Sequence, residues 1–158
     1  MYFDGMTFLE EERDAWRPYE GLTGLTDAQL DRSIEAARGW SGRDLIAHLV
    51  AWQEHGLVVA RELAVNETSP AKVRGDEEWA LRGDEMNADI ARTWRELPMA
   101  EVRRRFATVP GELRGYLTVV PEARWLKDAR MEQFFISETI EHYEDHLEDL
   151  RVILDGAR

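Results

Sequence analysis

The chain has 158 residues, 44% hydrophobic and 33% charged, with a formal net charge of −12 at pH 7. That length suits one domain with a sizeable core, and the acidic excess argues against nucleic acid or an anionic membrane as partner, since both attract basic surfaces. No apolar run approaches transmembrane length, and Met1-Tyr2-Phe3-Asp4-Gly5 lacks the basic-then-apolar pattern of a signal peptide, so the expected location is cytoplasmic.

Almost every segment predicts helix. Thr7 with Glu10 fits a capping box and opens a helix from Phe8 to Glu20, which Gly21 and Gly24 end. Thr26 with Gln29 repeats the pattern for a short turn through Ser33. Ser41 is a good N-cap for a long helix to Ala64, with Asp44 facing the free amides. Along it Leu45, Leu49, Trp52, Gly56, Val59 and Leu63 recur at helical spacing, which predicts a buried face. Asn66 to Asp76, with Pro70, Gly75 and scattered charges, reads as a loop. Helix is expected again over Glu77–Leu97 and, after a break at Pro98, over Met99–Val120, kinked at Pro110 and ended by Pro121. The last helix is expected over Arg130–Asp155, with Ile136, Ile140, Tyr143, Leu147, Leu150 and Leu154 as its apolar stripe. No strand-period alternation of useful length occurs, so the predicted fold class is all-α, a four-helix bundle in a single domain spanning residues 1–158.

The chemistry centres on histidine. His142 and His146 are four residues apart, which places both imidazoles on one helix face. His48 belongs to a distant helix, beside Leu45, Leu49 and Trp52. All three lie next to apolar stripes and point to the bundle interior, where an imidazole needs a hydrogen-bond partner or a metal. Two ligands from one helix and a third from another make a three-histidine site with an open position, suited to zinc or nickel. The alternative is three ordinary interior or surface histidines. With no cysteine in the chain, disulfides and zinc–cysteine sites are excluded, and any thiol chemistry needs a thiol brought from outside.

The surrounding residues sharpen this. Trp40-Ser41-Gly42-Arg43-Asp44-Leu45-Ile46-Ala47-His48-Leu49-Val50-Ala51-Trp52 resembles the second-helix signature of the DinB/YfiT-like superfamily. Glu138-Thr139-Ile140-Glu141-His142-Tyr143-Glu144-Asp145-His146 is similar to its fourth-helix motif, and Asn87 fits a third-helix pattern of members similar to mycothiol-dependent maleylpyruvate isomerase. The resemblance implies an up-down-down-up four-helix bundle with His48, His142 and His146 as metal ligands. It further implies a thiol-dependent transferase, using a cofactor such as mycothiol or bacillithiol, or a hydrolase that detoxifies small reactive compounds. It does not extend to the additional C-terminal domain of the full-length isomerases. The alternative is a non-catalytic metal- or small-molecule-binding stress-response protein.

No residue pattern assigns the catalytic groups. His55, seven residues after His48, is either a pocket-lining proton donor or a partly exposed helix residue. Glu138, one turn before His142, is either a general base or orienting carboxylate, or simply solvated. Trp52 and Tyr143 are candidates to bind substrate, although aromatic residues more often pack a core. Trp79 is a candidate pocket rim. Arg103-Arg104-Arg105 is either a solvated basic run among acidic neighbours or a site for a cofactor's carboxylates. The expected partner is a small-molecule substrate, with a homodimer plausible for a helical bundle.

Overall fold

The computed structural model describes residues 1–158 and is an all-α bundle without strands. Helix α1 spans Gly5–Trp16, α2 Asp27–Leu30, α3 Gly42–Val65, α4 Pro70–Glu96 and α5 Met99–Val119. The C-terminal stretch forms three consecutive helices: α6, Ala129–Glu138; α7, Ile140–Asp145; and α8, Leu147–Ala157. Helix α3 is the central element and packs along both α4 and α5. No helix is long and apolar enough to cross a membrane.

Local chemistry sets the starts. Thr26 with Gln29 forms the expected capping box and opens α2; Ser41 is the expected N-cap of α3, and Asp44 completes a capping box with it. At α1 the expected cap is displaced. Asp4, not Thr7, is the N-cap, its carboxylate accepting from the Thr7 amide at 2.8 Å and the Thr7 hydroxyl at 2.9 Å. The helix also ends earlier than Glu20, tightening at Arg17 into a 3₁₀ turn that runs to Gly24. Pro18 explains this, because it lacks an amide to continue the ladder.

Two larger corrections concern α4 and the C-terminus. The expected loop over Asn66–Asp76 is helical from Pro70 onward. Ser69 caps the helix by accepting from the Lys72 amide at 3.2 Å, Pro70 occupies the first turn, and the Glu62 carboxylate accepts from the Ala71 amide at 3.0 Å. Proline at that position starts a helix, because its missing amide would have been unpaired anyway. The expected single C-terminal helix is interrupted at Thr139 (φ −127°, ψ −96°) and at His146 (φ −105°, ψ 8°). The Thr139 hydroxyl donates to the Phe135 carbonyl, a bond that competes with the helical ladder and bends it. The second break turns the apolar stripe: Leu150, Ile153 and Ala157 are buried beyond it, while Leu147 is 42% exposed.

A polar network crosses the core. The Glu12 carboxylate, 1% exposed, accepts from Arg114 Nε and from the Tyr143 hydroxyl at 2.9 Å. Gln53 Nε2 donates to the same hydroxyl at 2.7 Å, and the Tyr19 hydroxyl donates to the Tyr143 carbonyl. Tyr143 thereby ties α1, α3 and α7 together. Tyr143→Phe leaves one Glu12 oxygen and the Gln53 amide without that partner, and a buried polar group left unpaired costs about 1–3 kcal/mol. Urea denaturation of the variant should show a loss of that size with helical content unchanged.

Candidate metal centre

Helix α3 carries His48 in its second turn, anchored by the Ser41–Asp44 box and by Arg95, whose Nε lies 3.0 Å from Asp44. Helix α7 carries His142, and His146 stands at the joint between α7 and α8. The three rings meet as a nearly equilateral triangle, with centroids 4.7 Å apart for His48–His142, 4.7 Å for His48–His146 and 5.1 Å for His142–His146. One nitrogen from each lies within 4.8 Å of the others. The Nε2 atoms of His48 and His142 are 2.9 Å apart.

The environment keeps the His48 and His142 rings neutral. Burial, reinforced by the neighbouring His146, pushes His48 down to about 4. Burial again, with His48 and His146 beside it, pushes His142 down to about 3. A neutral imidazole offers a lone pair, so at neutral pH both present donors to a shared point. His146 is oriented differently: its Nδ1 lies 2.8 Å from Asp149 Oδ2, which leaves Nε2 for the cluster. Carboxylate–histidine pairs of this kind fix the tautomer and ring direction of metal-binding histidines.

Asp149 is itself held. Both its oxygens lie 3.1 Å from Arg38 nitrogens, and although burial opposes it, the bonds to His146 and Arg38 hold its carboxyl below the usual range. Arg38 adopts a left-handed backbone (φ 58°, ψ 30°), a conformation that costs a side-chain-bearing residue roughly 1–2 kcal/mol. Its guanidinium also stands 5.6 Å from the Trp40 ring centre. Trp40 in turn stacks on His146 at 5.7 Å and tilts against His48 at 5.2 Å. Three imidazoles, two held neutral by burial and one oriented by a carboxylate, form a donor set that fits a divalent ion such as zinc or nickel.

A cleft of about 370 Å³ opens beside the cluster. Helix α3 contributes His48, Trp52 and His55; α4 contributes Gly75, Asp76, Trp79 and Asn87; α6 and α7 contribute Phe134, Ser137, Glu138 and His142. Trp52 Nε1 donates to Asn87 Oδ1 at 2.9 Å, joining the α3 and α4 walls. The Glu138 carboxyl is pushed up to about 8, by burial first and then by the charge of Asp76, against the opposing pull of Lys72. Its Oε2 is buried without a hydrogen-bond partner. Burial also lowers His55, whose ring packs edge-on to Trp52 and Phe134.

The structure thus brings His48, His142 and His146 together, and places His55, Glu138, Trp52, Trp79 and Asn87 around one cleft. Tyr143 lies elsewhere, wholly buried in the Glu12–Gln53 network, so its hydroxyl is spent on the core. The Arg103–Arg105 run is also occupied: Arg103 binds Asp27, Arg104 binds Glu101, and Arg105 binds Glu101 and Glu54. Sequence reasoning did not find Asp149, Arg38 or Asp76. The spacing of His146 and Asp149, three apart on a helix, was the available signal for the first; Arg38 and Asp76 carry none.

A family model described as the DinB superfamily matches residues 9–150. No curated protein and no solved structure matches the chain. The matched span takes in all three clustered histidines and nearly every helix around them, and the chain belongs to the DinB superfamily.

Proposed function

We propose that the chain is a metal-dependent enzyme acting on a small molecule, either a thiol-dependent transferase or a detoxifying hydrolase. His48, His142 and His146 hold a divalent ion, zinc or nickel. The observation that carries this reading is the convergence of three imidazoles, two of which line a cleft that also holds a buried carboxyl oxygen without a hydrogen-bond partner. An ion bound there supplies Lewis acidity, which makes a water or an added thiol nucleophilic at neutral pH. The absence of cysteine means that any such thiol comes from a low-molecular-weight cofactor such as mycothiol or bacillithiol.

The chain's own groups do the rest. Asp149 holds His146 in one tautomer. Glu138 holds or moves a proton at Oε2, and a carboxyl titrating near 8 is matched to that task around neutral pH. Trp52, Trp79 and Phe134 cover the apolar part of a substrate and exclude water.

Elemental analysis of the purified protein, followed by titration of metal-free protein with zinc and nickel, tests the ligand set. One equivalent should bind. His146→Ala should abolish stoichiometric uptake, and Asp149→Ala should weaken it about 10–100-fold. A chain that takes up neither metal overturns the reading. Activity is read with an added thiol and a haloalkyl or bimane electrophile, and separately with activated esters. Glu138→Gln should retain the metal and lose about 10²–10⁴-fold in turnover. Metal uptake without turnover in either assay points instead to a non-catalytic binding protein.

The lowered histidines also predict a pH dependence of the metal-free chain. In the unfolded chain these rings take up protons near 6.5, whereas in the fold His48 does so only at about 4 and His142 at about 3. Between those values the unfolded state binds more protons, so stability falls as pH falls from about 6.5 towards 4. Denaturation midpoints across that range should show the slope, and His48→Gln with His142→Gln should flatten it.

A further inference from the structure

The cleft selects for charge. No arginine or lysine lines it, while Asp76 and Glu138 both do. The nearest ammonium, Lys72, is bound to Asp76 Oδ2 at 2.6 Å and sits 5.4 Å from the Phe134 ring centre. The chain's own cation therefore already rests on one carboxylate and one aromatic of this wall. Lys72 engages a single oxygen of Asp76, and Glu138 Oε2 has no hydrogen-bond partner.

The remaining wall is aromatic. Trp52 and Trp79 stand nearly perpendicular, 86° apart with centroids at 5.4 Å. Trp79 remains 50% exposed although it lines the cleft. The one cation at this end, Lys72, is already taken up by Asp76, so an anionic substrate group meets the second Asp76 oxygen and the Glu138 carboxyl with no free cation to pair it. A purely apolar group covers those carboxyls without pairing them, which is costly. A cationic group pairs with the carboxylate and is attracted to the indoles as well.

We propose that the substrate carries a positively charged nitrogen, an ammonium or quaternary ammonium group, held by Trp52, Trp79 and the Asp76 carboxylate at the end of the cleft away from the three histidines. This rests on the cleft being the substrate site, and it leaves the other end of the substrate to the histidine cluster. His48 and His55 are seven residues apart on α3, so the α3 wall extends about 10 Å from the cluster. That length accommodates a small molecule with its reactive group at one end and its charged nitrogen at the other.

Heteronuclear NMR of the full chain, following the indole N–H signals of Trp52 and Trp79, tests the inference with three probes of equal size. These are choline, its uncharged isostere with carbon in place of nitrogen, and the tert-butylacetate anion. Metal-free protein is used first, then zinc-loaded protein, so that failure of metal uptake and failure of cation binding are read separately. Choline should shift both indole signals and bind about tenfold tighter than the uncharged isostere, while the anion leaves them unmoved in metal-free protein. Trp79→Leu and Asp76→Asn should each weaken choline severalfold without weakening the uncharged isostere. Asp76 is exposed at the protein surface, so that variant keeps the fold. Equal or tighter binding of the uncharged isostere, or indole signals indifferent to choline, overturns the proposal.

Discussion

Three imidazoles packed this closely inside a helical bundle cannot all carry charge. Burial alone disfavours the imidazolium, and each charged ring would raise the cost of the next, which is why His48 and His142 are held far below the usual range. Neutral rings then turn lone pairs towards one another, a repulsive arrangement unless a proton or a cation lies between them. Much of the nearby structure serves this constraint. The Ser41–Asp44 box fixes where α3 begins and so where His48 points. Asp149 takes the Nδ1 side of His146, and Arg38 accepts a left-handed backbone while binding that carboxylate. A conformation of that kind persists where its surroundings over-determine it, and such sites cluster around function.

The breaks in the C-terminal stretch belong to the same arrangement. His146 is the joint between α7 and α8, so its backbone departs from the helix at the residue whose ring joins the cluster. In the fold Phe135, Thr139 and Ile153 have no exposed surface, while Leu147 of the nominal stripe faces solvent. An unbroken period of 3.6 residues was the wrong ruler for a helix interrupted twice. The i, i+4 spacing of His142 and His146 survived because the second break falls at its end.

What was legible in the sequence was mostly local. Capping boxes are two short side-chain bonds to nearby amides, and the Thr26–Gln29 box and the Ser41 N-cap both formed where they were read. The capping pattern failed at Thr7 because Asp4, three residues earlier, offered a charged acceptor in the competing register. Pro70 was read as a breaker and acts as a starter, since the same missing amide is harmful inside a helix and harmless in its first turn. The histidines were legible through spacing and family motif together. Their supporting shell was not, because Arg38 and Asp149 are 111 residues apart and meet only when α8 folds back against α3. Trp52 and Tyr143 looked alike as aromatics on apolar stripes. They part company in three dimensions: Tyr143 has Glu12 and Gln53 to satisfy it in the core, whereas Trp52 finds Asn87 across a cleft.

Helix α4 shows most directly that the cleft is a built feature and not a packing defect. Only Ala71 and Trp94 along its length are buried, so the helix is held by few core contacts. It nevertheless carries glycine at positions 75 and 83, each costing about 1 kcal/mol of helix stability relative to alanine. Both glycines face cleft residues. A methyl group at Gly75 would stand 2.7 Å from the His55 ring, and one at Gly83 would stand 3.0 Å from the Trp79 indole. The backbone leaves helical geometry at Arg82, immediately before the second glycine. Arg82 reaches Glu78 on one side of that break and Glu85 and Asp89 on the other, so exposed ion pairs span it where core packing does not. A helix chosen for stability would fill both positions and remain regular. This one gives way at the two points where its backbone must approach an aromatic side chain, and so sets His55 and Trp79 in the wall that the histidine cluster faces.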